Sequence, residues 1–137
     1  VKYLLDTNAC IALINNKAPS VRTRFQKAIA EDASVLVSSV VVFELWYGVS
    51  KSARAEANAL QVETLFEGPV SFLAFEPEDA RIAGRVRAEL EAVGKPIGAY
   101  DLLIAGQALR HGLTLVTANA REFRRVKGLE WEDWAKG

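Results

Sequence analysis

Gly98-Ala99-Tyr100-Asp101-Leu102-Leu103-Ile104-Ala105 reads as the opening of a helix, fed by the loop Lys95-Pro96-Ile97-Gly98. Its one carboxylate, Asp101, is followed by Leu102, Leu103, Ile104, Ala105, Ala108 and Leu109, residues that belong in a core. An acid in such company needs a partner, because burying an isolated charge is very costly. The pattern recurs twice. Asp6 follows the run Val1-Lys2-Tyr3-Leu4-Leu5, and Glu44 interrupts Val40-Val41-Val42-Phe43-Glu44-Leu45-Trp46. Three acids therefore stand singly in three apolar runs.

Outward from this stretch, strands and helices alternate. Val1 to Leu5 is strand-like and turns at Asp6-Thr7-Asn8, and Ala9 to Ile14 is a short helix. Pro19-Ser20 opens a second helix, with Val21, Phe25, Ala28 and Ile29 on one face. Ser34 to Val37 forms the next strand, and Ser38 or Ser39 caps the helix carrying Glu44, expected to end near Gly48. Lys51 to Phe66 reads as one amphipathic helix stopped by Gly68-Pro69, and Val70 to Phe75 as a third strand. Pro77-Glu78-Asp79 starts a helix with Ala83, Val86, Leu90 and Val93 as its buried stripe and Gly94 at its cap. The Asp101 helix runs to His111 with Gly112 as its cap. Leu113 to Val116 is a fourth strand, and Leu129 to Trp134 reads as a short fifth strand at an edge. Such alternation predicts an α/β fold with a central, mostly parallel sheet. Ligands of these sheets bind beyond the carboxyl ends of the strands. Asp6 and the stretch Thr117-Ala118-Asn119 end two strands, while Glu44 and Asp101 lie early in helices that can reach the same edge.

The 137 residues suffice for one domain spanning 1–137 with a continuous core. No apolar run approaches the roughly 18 residues of a membrane span, and the start lacks the layout of a signal peptide. A cytoplasmic protein without membrane attachment is expected. One cysteine, Cys10, excludes an internal disulfide, and one histidine, His111, excludes a histidine-rich zinc site. The 17 basic residues equal the 17 acidic ones, so overall charge lends no support to nucleic-acid binding. Locally, Arg121, Arg124, Arg125 and Lys127 face only Glu122 as a counter-charge. A charge run of this kind is usually a solvated face.

Several carboxylates with no histidine or cysteine ligand favour a hard cation, Mg²⁺ or Mn²⁺, held through oxygen. Such a site activates water and neutralises charge on a phosphodiester under cleavage. Structural readings compete at each position. Asp6 can serve as a helix cap, Glu44 as half of a buried ion pair, and Asp101 as a complement to its helix dipole. Trp46, Trp131 and Trp134 read as packing residues rather than base-stacking platforms.

Four segments, in order and spacing, carry a resemblance. They are Leu4-Leu5-Asp6-Thr7-Asn8, Ser38-Ser39-Val40 to Glu44-Leu45 with Tyr47-Gly48, Pro96-Ile97-Gly98-Ala99-Tyr100-Asp101 with Ile104-Ala105, and Leu115-Val116-Thr117-Ala118-Asn119-Ala120-Arg121-Glu122-Phe123. The chain resembles the PIN-domain ribonucleases and, within them, the VapC toxins of bacterial toxin–antitoxin pairs. Val126-Lys127-Gly128-Leu129 to Glu132-Asp133-Trp134 extends the likeness over nearly the whole chain.

The resemblance implies a three-layer α/β/α PIN fold and an endoribonuclease dependent on Mg²⁺, with Mn²⁺ as a substitute. It also implies a homodimer, silenced by a cognate VapB-type antitoxin. Asp6, Glu44 and Asp101 match the family's three metal-binding acids. Asn119 falls at a fourth catalytic position that is aspartate in many relatives, and Glu122 matches an acid three residues on. Thr7 and Thr117 match supporting hydroxyls. Ala99 and Ala118 depart from the Pro and Asn common in enteric relatives. The likeness is strongest to toxins cutting initiator tRNA in the anticodon loop, which makes tRNA the expected substrate. Beside it, Arg121, Arg124, Arg125 and Lys127 become a candidate RNA-binding rim. The alternative from another class is a catalytically inactive PIN-like domain that only holds a protein partner. A haloacid-dehalogenase-type phosphatase would need a second aspartate where Asn8 stands, and the acidic pair of a receiver domain is missing.

Overall fold

The computed structural model describes residues 1–136. Five strands, β1 (Lys2–Leu5), β2 (Ser34–Ser38), β3 (Ser71–Leu73), β4 (Thr114–Val116) and β5 (Trp131–Glu132), form one sheet in the order β3-β2-β1-β4-β5. Every neighbouring pair is parallel, so the sheet is wholly rather than mostly parallel. Seven helices cover it, giving three α/β/α layers: α1 (Thr7–Asn15), α2 (Pro19–Ala30), α3 (Ser39–Lys51), α4 (Ala55–Glu67), α5 (Pro77–Ala92), α6 (Ala99–His111) and α7 (Ala120–Phe123). Consecutive residues Leu4 and Leu5 on β1 are both fully buried, as expected of a central strand covered on both faces. Cys10 belongs to the same core, and burial pushes its thiol pKa up. No helix among the described residues is long and apolar enough to cross a membrane.

The strand order places the site. From β1 the chain winds outward to β2 and β3, then returns to lay β4 on the other side of β1. The winding direction therefore switches between β1 and β4, and such a switch opens a crevice at the carboxyl ends of the two strands. Leu5 is in register with Val116, and the Asp6 N–H donates to the Val116 carbonyl at 3.1 Å. Asp6 and Thr117 thus stand side by side at that edge.

Several boundaries differ from expectation for local reasons. Helix α1 begins at Thr7, directly after β1, because Asp6 caps it: its carboxylate accepts the Ala9 N–H at 2.8 Å. Helix α3 passes through Gly48 and ends at Lys51, since an interior glycine costs only about 1 kcal/mol. The Ser52 hydroxyl then donates to the Val49 carbonyl, so the expected helix from Lys51 begins only at Ala55. Val93 is the C-cap residue of α5 and 65% exposed; the buried stripe is instead Asp79, Ala83, Val86 and Leu90.

Helix α6, which carries Asp101, is located by tight packing on α5. A Cβ on Gly106 would stand 2.7 Å from the Ala83 nitrogen and 2.8 Å from its Cα, so only glycine permits this approach. Gln107, fully buried, donates to the Leu73 and Ala74 carbonyls at 3.3 and 3.1 Å. At the far end Arg110 reaches Asp79 at 3.1 Å and Glu76 at 3.2 Å. These contacts hold α6 with its N-terminus at the switch-point crevice.

Candidate active site

Asp6, 4% exposed, forms the floor of the crevice. Burial raises its carboxyl pKa, while the Thr117 hydroxyl and the Ala9 N–H bond to it and oppose the rise. Glu44 comes from α3, where it lies off the buried stripe of Val41, Leu45 and Val49. It is oriented by Thr7, whose hydroxyl donates to Glu44 Oε1 at 2.8 Å. Asp101, in the first turn of α6, stands close enough to Asp6 and Glu44 for both to act on its ionisation. The three acids, separated widely in sequence, meet on one edge.

Asn119 joins the loop after β4 to this group. Its N–H donates to Thr117 Oγ1 at 2.9 Å, and its Nδ2 donates to Asp101 Oδ2 at 3.3 Å and to Glu122 Oε2 at 2.5 Å. One neutral amide thus ties two carboxylates together. The Asp101 carboxyl is pushed up to about 7, first by burial and then by Glu122 beside it. Glu122 moves the other way, held below its ordinary range chiefly by the hydrogen bond from Asn119. Asp133, after β5, adds a further negative charge near Asp6 that the sequence reading passed over as part of an edge strand.

A second acidic group needs separating from this one. Among the described residues, Glu76, Asp79 and His111 bring their ligand atoms within 4.8 Å of one another. Arg110 already places its guanidinium against both carboxylates, and Asp79 also accepts the Glu76 N–H at 2.8 Å. This is an ion-pair cluster fastening α5 to α6, with its cation supplied by the chain. Among the described residues, no basic side chain forms an ion pair with Asp6, Glu44 or Asp101. These three make a looser, oxygen-only donor set of the kind suited to a small divalent ion that keeps several waters.

The basic segment divides in two. Arg121, Arg124 and Lys127 are exposed, but Arg125 donates from Nη1 to the Pro96 carbonyl at 3.0 Å, bracing the loop that feeds Asp101. The tryptophans pack: Trp134 is buried against Tyr3 at 5.1 Å between ring centroids, and Trp46 meets Phe66 at 6.2 Å. The exposed aromatics beside the acids are Phe43 and Tyr100, each one residue before Glu44 or Asp101.

The fold and the sequence place the chain among known proteins. A family model described as the PIN domain matches residues 3–129. The chain belongs to the PIN-domain family. Within it, the chain is 43% identical to the tRNA(fMet)-specific endonuclease VapC of Shigella flexneri, over 98% of this chain and 99% of that protein. It is 38% identical to Ribonuclease VapC2 of Rickettsia felis, with 98% of both chains covered. The crystal structure of VapBC2 from Rickettsia felis, bound to a DNA fragment from their promoter, superposes with a TM-score of 0.91, covering 98% of this chain and 99% of that one at 36% identity. The DNA-bound VapBC structure from Salmonella typhimurium gives 0.88 at 40% identity, with 98% of each chain covered. The PIN domain with VapC likeness expected from the four motifs is therefore what the chain is, with its acids set at the switch point of the PIN sheet.

Proposed function

We propose that this PIN-domain protein, one domain over residues 1–137, is a divalent-metal-dependent endoribonuclease toxin that hydrolyses tRNA, initiator tRNA above others. The observation that carries the reading is the convergence of Asp6, Glu44 and Asp101, with Asn119 and Glu122, at the β1/β4 switch point. Asp6, Glu44 and Asp101 would hold Mg²⁺, and Mn²⁺ would replace it. The donor set fits: its atoms are carboxylate oxygens, and Asp6 and Glu44 both lie close enough to Asp101 to act on its carboxyl, which burial chiefly raises. A bound divalent ion supplies Lewis-acid polarisation of the phosphodiester and neutralises its developing charge. The chain's own residues do the rest. Thr7 keeps Glu44 aimed inward, Thr117 orients both Asp6 and the Asn119 backbone, and Asn119 fixes Asp101 relative to Glu122. In hydrolysis, water oxygen bonds to phosphorus, the P–O ester bond breaks, and the leaving ribose oxygen takes a proton. Glu122, held below its ordinary range chiefly by the Asn119 amide, keeps a negative charge beside Asp101.

The partner is a VapB-type antitoxin. Its seat is a groove of about 310 Å³ that starts at Glu44 and runs along Ile11, Ile14, Leu45, Gly48 and Val62. An apolar segment laid there would bring a basic side chain to the acids, where a guanidinium fork suits carboxylates well. The homodimer implied by the resemblance belongs to the same proposal.

The deciding experiment uses purified, partner-free protein with total tRNA and with initiator tRNA. Cleavage that requires Mg²⁺ or Mn²⁺, stops with EDTA and stops on addition of antitoxin is expected. No cleavage of any RNA by folded, metal-loaded protein would leave an inactive PIN domain that only holds a protein. The exposed cations supply a further expectation. Arg124→Ala with Lys127→Ala should weaken RNA binding and flatten its logarithmic salt dependence by up to about 1.4, near 0.7 per lost phosphate contact to a single strand. The rate at saturating RNA should stay near the parent's, because uniform binding acts on KM. An unchanged salt slope would make the segment a solvated face.

A further inference from the structure

Two helices that bring acids together at the site also bring aromatics together beside it. On α3, Val41, Leu45 and Val49 point into the core, which turns Phe43, Tyr47 and Lys51, spaced four apart, onto an outward stripe. Phe43 is 53% exposed and Tyr47 57%. Tyr100, in the first turn of α6, is 46% exposed and meets Phe43 with ring centroids 5.7 Å apart and planes tilted by 53°. One turn further along α3, the Lys51 ammonium lies 4.9 Å from the centre of the Tyr47 ring. Aromatic rings this exposed cost hydration free energy, and a run of them marks a binding surface.

We propose that the Phe43–Tyr100 pair is the stacking site for an unpaired nucleobase next to the scissile phosphate, with Tyr47 and Lys51 continuing the track along α3. This rests on the ribonuclease reading and adds the residues that hold the strand. The chemistry favours a base. The crevice is lined by carboxylates that repel phosphates, so a strand approaching it needs attraction that does not depend on opposite charge. Stacking on aromatic faces provides this for any base. Position argues the same way. Phe43 precedes Glu44 and Tyr100 precedes Asp101, so a base on these rings holds its phosphate near the acids. A protein seated permanently on the pair would obstruct that entrance. Lys51, the cation nearest the outer ring, then meets the backbone beyond the acidic zone.

The test uses Phe43→Ala and Tyr100→Ala with Phe43→Trp and Tyr100→Phe as conservative counterparts. Cleavage kinetics are followed on a single-stranded oligoribonucleotide. Binding is read separately in an Asp101→Asn background, by quenching of 2-aminopurine placed in the same oligonucleotide. Each alanine variant should raise KM about tenfold with kcat little changed and should lose the quench, and the conservative variants should restore both. Folded alanine variants that cut with the parent's KM and keep the quench overturn the stacking site while leaving the ribonuclease reading intact. Ring-dependent quenching in a protein whose parent cuts no RNA supports the stacking site and removes the ribonuclease reading instead. If Phe43→Ala converts a dimer to monomer in sedimentation velocity without altering the quench, the face belongs to a second copy and the proposal fails.

Discussion

Asp101→Asn should yield a folded protein that binds RNA but cuts it more than about a hundredfold more slowly, since even outer-shell partners of a metal ligand are worth about 10–100-fold. The same change should stabilise the metal-free protein, and the sign depends on pH. Asp101 titrates at about 7 in the folded chain against an ordinary 3.8, so the native state binds its proton more tightly than the unfolded state. Such a group withdraws stability as pH rises, here between about 4 and about 7. Asp6 shifts in the same direction. Glu122, lowered, contributes stability that is lost only as pH falls through the acid range below its ordinary 4.5. Metal-free parent protein should therefore melt lower at pH 8 than at pH 5. Asparagine, which cannot ionise, should remove most of that difference. Because Asp101 is partly solvent-screened, the gain at pH 8 should be about 1–2 kcal/mol, well below the full shift. At pH 4 parent and variant should nearly coincide. Mg²⁺ should raise the melting temperature of the parent at pH 8 more than that of the variant. Parent-like cleavage by the folded variant would remove Asp101 from the site, and a pH-independent parent melting curve would remove the charge crowding.

Gly106→Val should destabilise the protein by about 3 kcal/mol, the upper end of what overpacking a core costs. The glycine faces the Ala83 backbone, with its would-be Cβ at 2.7 Å from the nitrogen and 2.8 Å from the Cα. Backbone cannot rotate aside as a side chain can, so α5 and α6 must separate. Ala83→Gly should rescue only partly, because it removes the Cβ and leaves the nitrogen and Cα in place. Gly84 offers the control. It lies on the exposed side of α5 with nothing within 4 Å of a built Cβ, so Gly84→Ala should raise stability by about 1 kcal/mol. Thermal melts of the three variants decide the matter; a Gly106→Val protein as stable as the parent would mean that the helices are not packed so closely. Since α6 carries Asp101, residual folded Gly106→Val protein should also cut more slowly than the parent.

Much of this architecture follows from short-range sequence signals. The run Lys2 to Leu5, the Ser38 cap, Pro77 at a helix start and the glycines at 94 and 112 mark their elements because each acts through its own backbone. Gly94 and Gly112 adopt φ of +68° and +63°, which their position after a helix requires. The acids Asp6, Glu44 and Asp101 stood out for a related reason: a charge in an apolar run is anomalous whatever surrounds it in space. The basic rim was legible as composition but not as geometry, because nothing local distinguishes Arg125, tied to Pro96, from exposed Arg124.

Tertiary structure decided what depends on neighbours distant in sequence. Asp79 read only as part of the helix start Pro77-Glu78-Asp79, yet it is fully buried and reached by Arg110, 31 residues later. The tryptophans and phenylalanines are equally apolar on paper. Only packing buries Trp134 against Tyr3 and leaves Phe43 and Tyr100 outside, beside the acids. The meeting of Asp6 with Thr117 depends on β4 returning to the side of β1 away from β2, a pairing between residues more than a hundred positions apart. Local propensity chooses strands and helices, but strand order is set by which faces can be buried together, and here that order places three separate acids in one crevice.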